Sequence, residues 1–170
     1  LGTVNGANFT DGLDGLAASV TTLIAVFLTV IAVGTNAGIH PVICAVIGAL
    51  LGFLCFNTHP AKVFMGDTGS VALGGFVVAA AYMLKIPLFI PIVAFIYFIE
   101  VLSVIIQVTY YKKTKKRIFK MAPIHHHFEL SGWPETKVVS IFSIVTAVLC
   151  LIGMLACQKA FFKHALKHMV

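Results

Sequence analysis

The sequence predicts an all-α protein, a polytopic bundle of about five transmembrane helices whose polar groups are gathered in the connections at one membrane face. Hydrophobic residues make up 59% of the 170 residues and charged residues only 11%. The mean hydropathy is +1.01. Soluble domains are nearer to half apolar and a quarter charged. The apolar residues also form long runs, separated by three short polar islands, and this pattern is typical of an integral membrane protein.

Five apolar runs are long enough, or nearly so, to cross a bilayer as helices, which takes about 20 residues. In chain order they cover residues 16–33, 42–56, 71–84, 88–110 and 138–157. The second and third are short for a full crossing, so they either borrow flanking residues or are tilted differently from the others. We therefore expect a membrane domain over residues 1–158, followed by a tail, 159–170, whose structure the pattern does not predict.

The basic residues predict the orientation of the bundle. Six of them follow the fourth apolar run: Lys112, Lys113, Lys115, Lys116, Arg117 and Lys120. Positive charge next to a membrane span marks the cytoplasmic side and favours anionic headgroups. This places connections 57–70 and 112–137 in the cytoplasm, and the opening residues on the same face. Because the cluster is short and adjoins the membrane, we do not expect nucleic acid as a partner.

The first polar island, residues 5–16, carries two acids, two amides and three glycines. Asn8, Asp11 and Asp14 are spaced by three, so on a helical or tightly turned backbone they project to nearly the same side. Such a set can hold a metal, a ribose or a nucleobase. The simpler alternative is a helix start capped by Thr10 or Asp11. Capping explains one acid but not two acids with two amides, so the pattern favours a binding role.

The second island centres on Asp67, between Gly66 and Gly69, just before an apolar run. A helix N-terminus attracts anions, and a nearby carboxylate can hold Mg²⁺ against the same phosphate. Phe64 could serve as a stacking platform for a base. The alternative for an isolated aromatic is packing in the core.

The third island contains His125, His126 and His127. Adjacent residues of a helix point in different directions, and no cysteine or acid completes a tetrahedral set, so zinc is disfavoured. Contact with a pyrophosphate or a sugar suits imidazoles better. Glu100 and Gln107 lie on one stripe of the preceding apolar run. Glu100 is therefore either hydrogen-bonded between helices or exposed to a groove that leads to the site.

The three islands occur in an order that resembles a known family. The motifs are residues 5–16, the pattern Asn57-x-x-Pro60-Ala61-x-Val63-Phe64-Met65-Gly66-Asp67, and residues 122–139. Together they resemble the C-terminal half of the polyprenyl-phosphate N-acetylhexosamine-1-phosphate transferases. The histidines, with Phe128-Glu129-Leu130 and Gly132-Trp133-Pro134-Glu135 after them, are similar to the muramoyl-pentapeptide branch of that family.

The resemblance implies a reaction. Phospho-MurNAc-pentapeptide moves from UDP-MurNAc-pentapeptide to undecaprenyl phosphate and yields lipid I and UMP, with Mg²⁺ as cofactor. It further implies a multi-pass enzyme of the bacterial cytoplasmic membrane with its active site on the cytoplasmic face, surrounded by membrane lipid, bound by nucleoside inhibitors and assembled as a homodimer. These are expectations that come with the family, and composition and spacing do not establish them.

The resemblance also implies roles for individual residues. It makes Asp67 a magnesium ligand, and it places Asp14 and Phe64 around the uracil. Asn8 and Asp11 would then line the nucleoside and phosphate region. The candidate catalytic residues are Asp11, Asp67, His125, His126 and His127, and the candidate substrate-binding residues are Asn8, Asp11, Asp14, Asn57, Phe64, Gly66 and Gln107.

The chain departs from the family pattern at one place. The adjacent Asp-Asp pair of the family's N-terminal half is absent from these 170 residues. We therefore expect this chain alone not to be a competent enzyme. Two alternatives stay open: a related transferase of GlcNAc-1-phosphate, and a non-catalytic membrane subunit or transporter that uses the polar islands as a binding groove.

Overall fold

The chain folds into helices joined by short connections. The computed structural model describes the backbone of residues 1–167 and the side chains of residues 1–158. Within these residues there is no strand, so the predicted all-α class is confirmed. The helices are α1 (Gly2–Thr10), α2 (Leu16–Gly34), α3 (His40–Asn57), α4 (Gly66–Met83), α5 (Ile90–Val93), α6 (Phe95–Thr114), α7 (Ile124–Glu129) and α8 (Glu135–Lys167), with a short 3-10 helix (Pro87–Phe89) before α5.

Four of the five predicted membrane spans are confirmed by length and apolar composition. Within the described residues they are α2, α3, α6 and the part of α8 from Glu135 to Gln158. The third predicted run, 71–84, is helical as part of α4. This helix begins with a polar first turn that contains Asp67, and it is not among the four. Its crossing of the membrane therefore stays a prediction.

The predicted run 88–110 is not one continuous helix. The structure divides it at Ala94, where α5 ends and α6 begins. Pro87 and Pro91 lack N–H groups and each lies in the first turn of a short helix, where a missing donor costs least. Two short helices, α1 and α7, are also absent from the hydropathy pattern because each is too polar to form an apolar run. The predicted tail, 159–170, lies outside the described side chains.

Helix α2 is the centre of the bundle. It packs against α3 and α8 and also contacts α4. Twelve of its residues are buried, including Phe27 and Leu28 at 1% exposure. By contrast α3 buries only Ile43, Leu50 and Asn57 within this chain. The apolar outer faces of α3 and α6 are therefore open to lipid or to further polypeptide.

Helix α1 lies unusually close to two neighbours, α4 and α6. A Cβ added to Gly74 of α4 would come within 2.7 Å of the Val4 Cα atom. A Cβ added to Gly6 of α1 would come within 2.4 Å of the Tyr97 carbonyl oxygen. These two glycines let the backbones touch. As a result the end of α1, which carries the first polar island, is held beside the start of α4, which carries Asp67.

We predict that Gly74→Ala destabilises the fold and that Gly75→Ala does not. The methyl group at position 74 would meet backbone atoms of α1, and overpacking of this kind costs about 1–3 kcal/mol. Position 75 has nothing within 4 Å of its would-be Cβ, so alanine there should only favour the helix, by about 0.5–1 kcal/mol. The midpoints of thermal unfolding in detergent, followed by circular dichroism, would measure both. Equal midpoints for the two variants would contradict the close approach of α1 and α4.

Candidate functional site

The structure brings the three polar islands together at one end of the bundle. Connection 11–15 follows α1, connection 58–65 follows α3, and connection 115–134 follows α6. The first island contacts both other islands: the Asn8 side chain reaches Asp67 of the second, and the Asp14 N–H donates to Glu135 of the third. This convergence is what the sequence predicted from the shared membrane face of the islands.

Asn8 and Asp67 form a direct link between α1 and α4. The Asn8 amide donates hydrogen bonds to the Asp67 Oδ1 atom at 3.2 Å and to the Ser70 Oγ atom at 3.0 Å. The Ser70 hydroxyl in turn bonds the Gly66 carbonyl at 3.2 Å. Asp67 lies in the first turn of α4, where the helix dipole favours a negative charge. Its carboxylate is exposed and keeps its remaining oxygen lone pairs for a ligand.

Asp11 lies close enough to Asp67 for the two carboxylates to repel each other. Burial raises the pKa of Asp11 from 3.8 to about 6, and the negative charge of Asp67 adds to the shift. Neither carboxylate forms an ion pair with a basic side chain of the described residues. Two neighbouring acids without an ion-pair partner among the described side chains are a donor set that suits a divalent metal with oxygen ligands.

A second cluster, which we call the His59 clamp, consists of Asp14, His59 and Glu135. The His59 Nδ1 atom lies 3.1 Å from the Asp14 Oδ2 atom and 3.2 Å from the Glu135 Oε2 atom. Glu135 also accepts the Asp14 backbone N–H at 2.5 Å, and the Ala61 N–H donates to Asp14 Oδ2 at 2.9 Å. The clamp therefore ties all three islands to each other.

The His59 clamp also has the spacing of metal ligands, since one ligand atom from each residue lies within 4.8 Å of the others. Both carboxylates already accept backbone N–H groups, and the imidazole lies between them. These contacts account for the cluster without an ion. We interpret it as the element that holds the Asp14 carboxylate in place.

Asn57 and Gln107 are occupied by contacts within the chain. Asn57 is buried; its Oδ1 accepts the Gly15 N–H at 3.1 Å, and its Nδ2 donates to the Val63 carbonyl at 2.9 Å. Gln107 accepts the N–H groups of Ile118 and Phe119 and donates to the Phe119 carbonyl. Both amides thus hold connections in place, and a substrate contact would be made in addition to these bonds.

His125 is buried below the first island, and it pairs with Glu100. Both side chains are at 0% exposure, and the Glu100 Oε1 atom lies 3.1 Å from the His125 Nδ1 atom. The other carboxylate oxygen of Glu100 accepts the Ile124 N–H at 2.9 Å, at the start of α7. On its far side the His125 ring touches Gly12, where a Cβ would come within 2.3 Å of Nε2. Glu100 is therefore buried between helices, one of the two alternatives that its sequence position left open.

The three histidines do not converge on one point. The His126 Nδ1 atom pairs with the Glu129 carboxylate at 2.6 Å, whereas the His127 Nδ1 atom accepts the Lys120 N–H at 3.1 Å. With His125 directed at Gly12, each ring has a different partner. The three rings therefore do not point to a common position.

Phe64 and Gly66 lie on the connection that leads into α4. Phe64 is 74% exposed, so within this chain it does not pack in the core. Gly66 begins α4 with φ +69°, a backbone conformation that disfavours side chains with a Cβ. The ring of Phe64 is thus presented to solvent three residues before Asp67.

Comparison with known proteins assigns the family. A family model described as "Glycosyl transferase family 4" matches residues 1–85, which is half of the chain. The chain belongs to glycosyl transferase family 4. The match ends before α6, so the family relationship rests on α1 to α4, the part that contains Asn8, Asp11 and Asp67.

Individual relatives extend the likeness past residue 85. A phospho-N-acetylmuramoyl-pentapeptide-transferase of Clostridium novyi (strain NT) is 60% identical over 158 residues, 92% of this chain and 49% of the relative. Proteins of the same name from Clostridium acetobutylicum and Clostridioides difficile (strain 630) are 61% and 57% identical, over 89% and 90% of this chain and 48% of each relative. The chain spans about half the length of these relatives.

Sequence reasoning did not single out His59, Ser70 or Glu135 as residues of the site. His59 and Ser70 lie inside the second island, so their position was a usable signal. Glu135 is 121 residues from Asp14, whose N–H it accepts. No local sequence pattern predicts a contact between residues so far apart in the chain. The only local signal is that Glu135 follows Pro134 and lies in the first turn of α8, where an acidic residue is common.

We predict that Asp11 makes the fold less stable as the pH rises. The unfolded chain ionises Asp11 near its ordinary pKa of 3.8, whereas the folded chain does so near 6. Between about pH 4 and about pH 6 the unfolded state therefore releases its proton first, and the stability of the fold falls with rising pH. Asp11→Asn removes this effect, so its unfolding midpoint should exceed that of the parent by more at about pH 7.5 than at about pH 4.

The control for this measurement is Asp67→Asn, which takes away the second carboxylate. Because the Asp67 charge contributes to the raised pKa of Asp11, this variant should show a smaller fall in midpoint with pH than the parent. A difference between Asp11→Asn and the parent that stays constant across the pH range would contradict the assignment.

Proposed function

We propose that this chain provides the donor and metal side of an enzyme that transfers phospho-MurNAc-pentapeptide from UDP-MurNAc-pentapeptide to undecaprenyl phosphate, forming lipid I and UMP in peptidoglycan synthesis. The observation that carries the proposal is the sequence identity of about 60% to proteins named phospho-N-acetylmuramoyl-pentapeptide-transferase. An alignment of 158 residues in a chain of 170 takes in the second and third islands. The histidine segment, which points to the muramoyl branch, is therefore part of the likeness.

The proposed cofactor is Mg²⁺, held by Asp67. Its exposed carboxylate at the start of α4 and the nearby Asp11 fit an oxygen-ligated divalent cation. Bound there, Mg²⁺ would neutralise charge on the pyrophosphate of the donor. The chain's own part is positional: Asn8 fixes the Asp67 carboxylate through a hydrogen bond, and the N-terminus of α4 presents N–H groups to phosphate. Phosphoryl transfer depends mainly on such positioning and charge stabilisation.

We place the uridine between Asp14 and Phe64. The Phe64 ring is exposed and so can stack on a base. Among the described residues Asp14 Oδ1 has no hydrogen-bond or ion-pair partner, while Oδ2 is held by His59 and Ala61. A carboxylate fixed through one oxygen can accept hydrogen bonds from a nucleoside through the other.

At least one of the three histidines is proposed to contact the donor's pyrophosphate or sugar from the third island. His126 is partly exposed and carries Glu129 as a partner, which orients its ring. His125 is buried against Gly12 and so acts on the position of the turn that carries Asp11 and Asp14. His127 is bonded to the Lys120 backbone, at the entrance of the same connection.

The rest of the proposed setting follows the same likeness. We propose that the protein lies in the bacterial inner membrane with the three islands on the cytoplasmic face, where the lysine cluster after α6 would hold that orientation. A homodimer and recognition by nucleoside inhibitors are parts of the same proposal. The apolar outer faces of α3 and α6, which this chain leaves open, give room for a partner half or a second copy.

The function is tested by joining the N-terminal half of the Clostridium novyi relative to Leu1 of this chain and assaying the product in membranes. The chimera should release UMP from UDP-MurNAc-pentapeptide in the presence of undecaprenyl phosphate and Mg²⁺, and should do so poorly from UDP-GlcNAc. Preference for UDP-GlcNAc would replace the proposal by the related GlcNAc-1-phosphate transferase. Tight donor binding without UMP release would indicate a binding subunit.

We predict that Asp67→Asn lowers the turnover of this chimera at least ~10²-fold, as expected when a metal ligand that stabilises transition-state charge is removed. The amide keeps the size of the side chain and can still contact Asn8, so the helix should remain folded. Asp67→Glu, which keeps a carboxylate, should recover part of the activity. Near-normal turnover of Asp67→Asn would contradict the assignment.

We predict that Phe64→Ala weakens the binding of a uridine nucleoside inhibitor by about 1 kcal/mol, the scale of a lost aromatic contact. Phe64→Tyr keeps the ring and should bind as the parent does. Because the side chain is exposed, neither substitution should change the midpoint of thermal unfolding appreciably. Isothermal titration of both variants makes the comparison, and unchanged affinity in Phe64→Ala would place the base elsewhere.

A further inference from the structure

Glu100 is a fully buried carboxylate to which the proposed transfer reaction gives no role. It lies on α6, one of the candidate membrane spans, and its side chain is at 0% exposure. An ionisable side chain inside a membrane helix is costly, and it persists mainly where it has a function. The contacts of this carboxylate point to that function.

Both oxygens of Glu100 reach the start of α7. Oε2 accepts the Ile124 N–H at 2.9 Å, which satisfies one of the donors that a helix leaves unpaired in its first turn. Oε1 lies 3.1 Å from Nδ1 of His125, an ion-pair distance without the alignment of a hydrogen bond. One carboxylate therefore holds the backbone of α7 and the imidazole ring together, and it fixes the direction in which that ring points.

The ring of His125 carries this constraint to the turn between α1 and α2. On the side away from Glu100, a Cβ added to Gly12 would come within 2.3 Å of Nε2 and 2.7 Å of Cε1. The ring edge thus lies directly against the backbone of Gly12. The buried Nε2 atom has no hydrogen-bond partner among the described residues, so the ring acts on the turn through its position and not through a hydrogen bond.

Asp11 is the functional group next to this contact. It precedes Gly12 in the chain, and its carboxylate is close enough to Asp67 for the charge of Asp67 to raise its pKa. The two acids are held in different ways. Asn8 fixes the Asp67 carboxylate by a hydrogen bond, whereas the backbone beside Asp11 is held by the packed ring of His125.

We propose that Glu100 is a positioning residue of the transfer reaction. It holds the His125 ring against Gly12. The ring fixes the turn, and the turn fixes the Asp11 carboxylate relative to Asp67. Glu100 itself touches neither substrate nor metal. This inference rests on the proposed function, in which these two acids form the metal side of the site.

The test is the affinity of the chimera for Mn²⁺, which shares the oxygen ligands of Mg²⁺, measured by electron paramagnetic resonance without donor. Glu100→Gln keeps the size of the side chain and can still accept the Ile124 N–H, but it removes the charge that faces His125. We expect the affinity to fall about 10–100-fold, the range found for residues that orient metal ligands without touching the metal. The kcat should fall similarly, with an unchanged KM for undecaprenyl phosphate.

The matched control is Ser103→Ala. Ser103 lies on the same helix at 2% exposure, and its hydroxyl donates to the Glu100 carbonyl within α6. The variant removes a buried polar group of α6 without altering the contact with α7, so it should keep the Mn²⁺ affinity and the kcat of the parent. Equal losses in Glu100→Gln and Ser103→Ala would mean that any change in the packing of α6 weakens the site, and they would overturn the proposal.

Gly12→Ala tests the other end of the same contact, and it does so even if Glu100→Gln fails to fold. Gly12 does not have a left-handed backbone, so the added methyl group acts mainly by displacing the His125 ring. We expect a fall in Mn²⁺ affinity similar to that of Glu100→Gln. The double variant should lose little more than either single variant, because both act on one ring. Additive losses would contradict this route.

These readouts separate the positioning role from the proposed function. A fall in Mn²⁺ affinity in Glu100→Gln, without one in Ser103→Ala, supports the role even if the chimera makes no lipid I. Normal UMP release and normal Mn²⁺ affinity in Glu100→Gln, with or without a lower unfolding midpoint, would leave the proposed function intact and reduce the pair to a structural one. A parent chimera that binds no Mn²⁺ would also overturn the positioning role.

Discussion

The rest of the structure depends on the hydrogen bonds made by the turn between α1 and α2. This turn places polar backbone and carboxylate groups at the end of an apolar helix bundle. Buried or half-buried N–H and carboxylate groups are costly unless they are paired. The Gly15 N–H donates to Asn57, the Asp14 N–H donates to Glu135, and the Asp14 carboxylate accepts from Ala61. These partners come from the end of α3, from the connection after it and from the start of α8, so the turn can be satisfied only when α3 and α8 are in place.

This requirement also determines the geometry of the candidate site. The same bonds that satisfy the turn also bring Asp14 beside His59 and keep Asp11 near Asp67. Small residues make the arrangement sterically feasible, because Gly6 and Gly74 allow α1 to touch α6 and α4, and Gly12 leaves room for His125. A site of this kind is held by the framework of helices, and its mutually repelling carboxylates are tolerated because many other contacts determine their positions.

Charge is divided between two regions of the chain. The acids lie among the islands or are buried with histidine partners, whereas six of the twelve basic residues lie in the last turn of α6 or just after it, within residues 112–120. The first region is suited to a metal and to groups held by carboxylates. The second is suited to anions at a membrane surface. The separation lets one small domain present opposite charge at the candidate site and at the membrane surface.

Much of the fold could be predicted because its cause is local. Runs of apolar residues determine α2, α3 and the apolar part of α8 within a few residues of the predicted limits. The breaks at α5 and α6 were not predicted, because a proline near the start of an apolar run does not reveal where the next helix begins. Helix α4 also differs from the prediction, which began its apolar run at residue 71. Its polar first turn, with Asp67 of the candidate site, belongs to the helix as well.

The sequence by itself determined the membrane class, the helical content and the three islands that carry the candidate site. These follow from composition and from short-range spacing. Only the tertiary structure decided which members of the islands meet. The contact of Asp14 with Glu135 across 121 residues, the burial of Glu100 with His125, and the use of Asn57 and Gln107 as braces all depend on packing. Such contacts are selected by the need to pair buried polar groups, and that need has no signature in any short stretch of sequence.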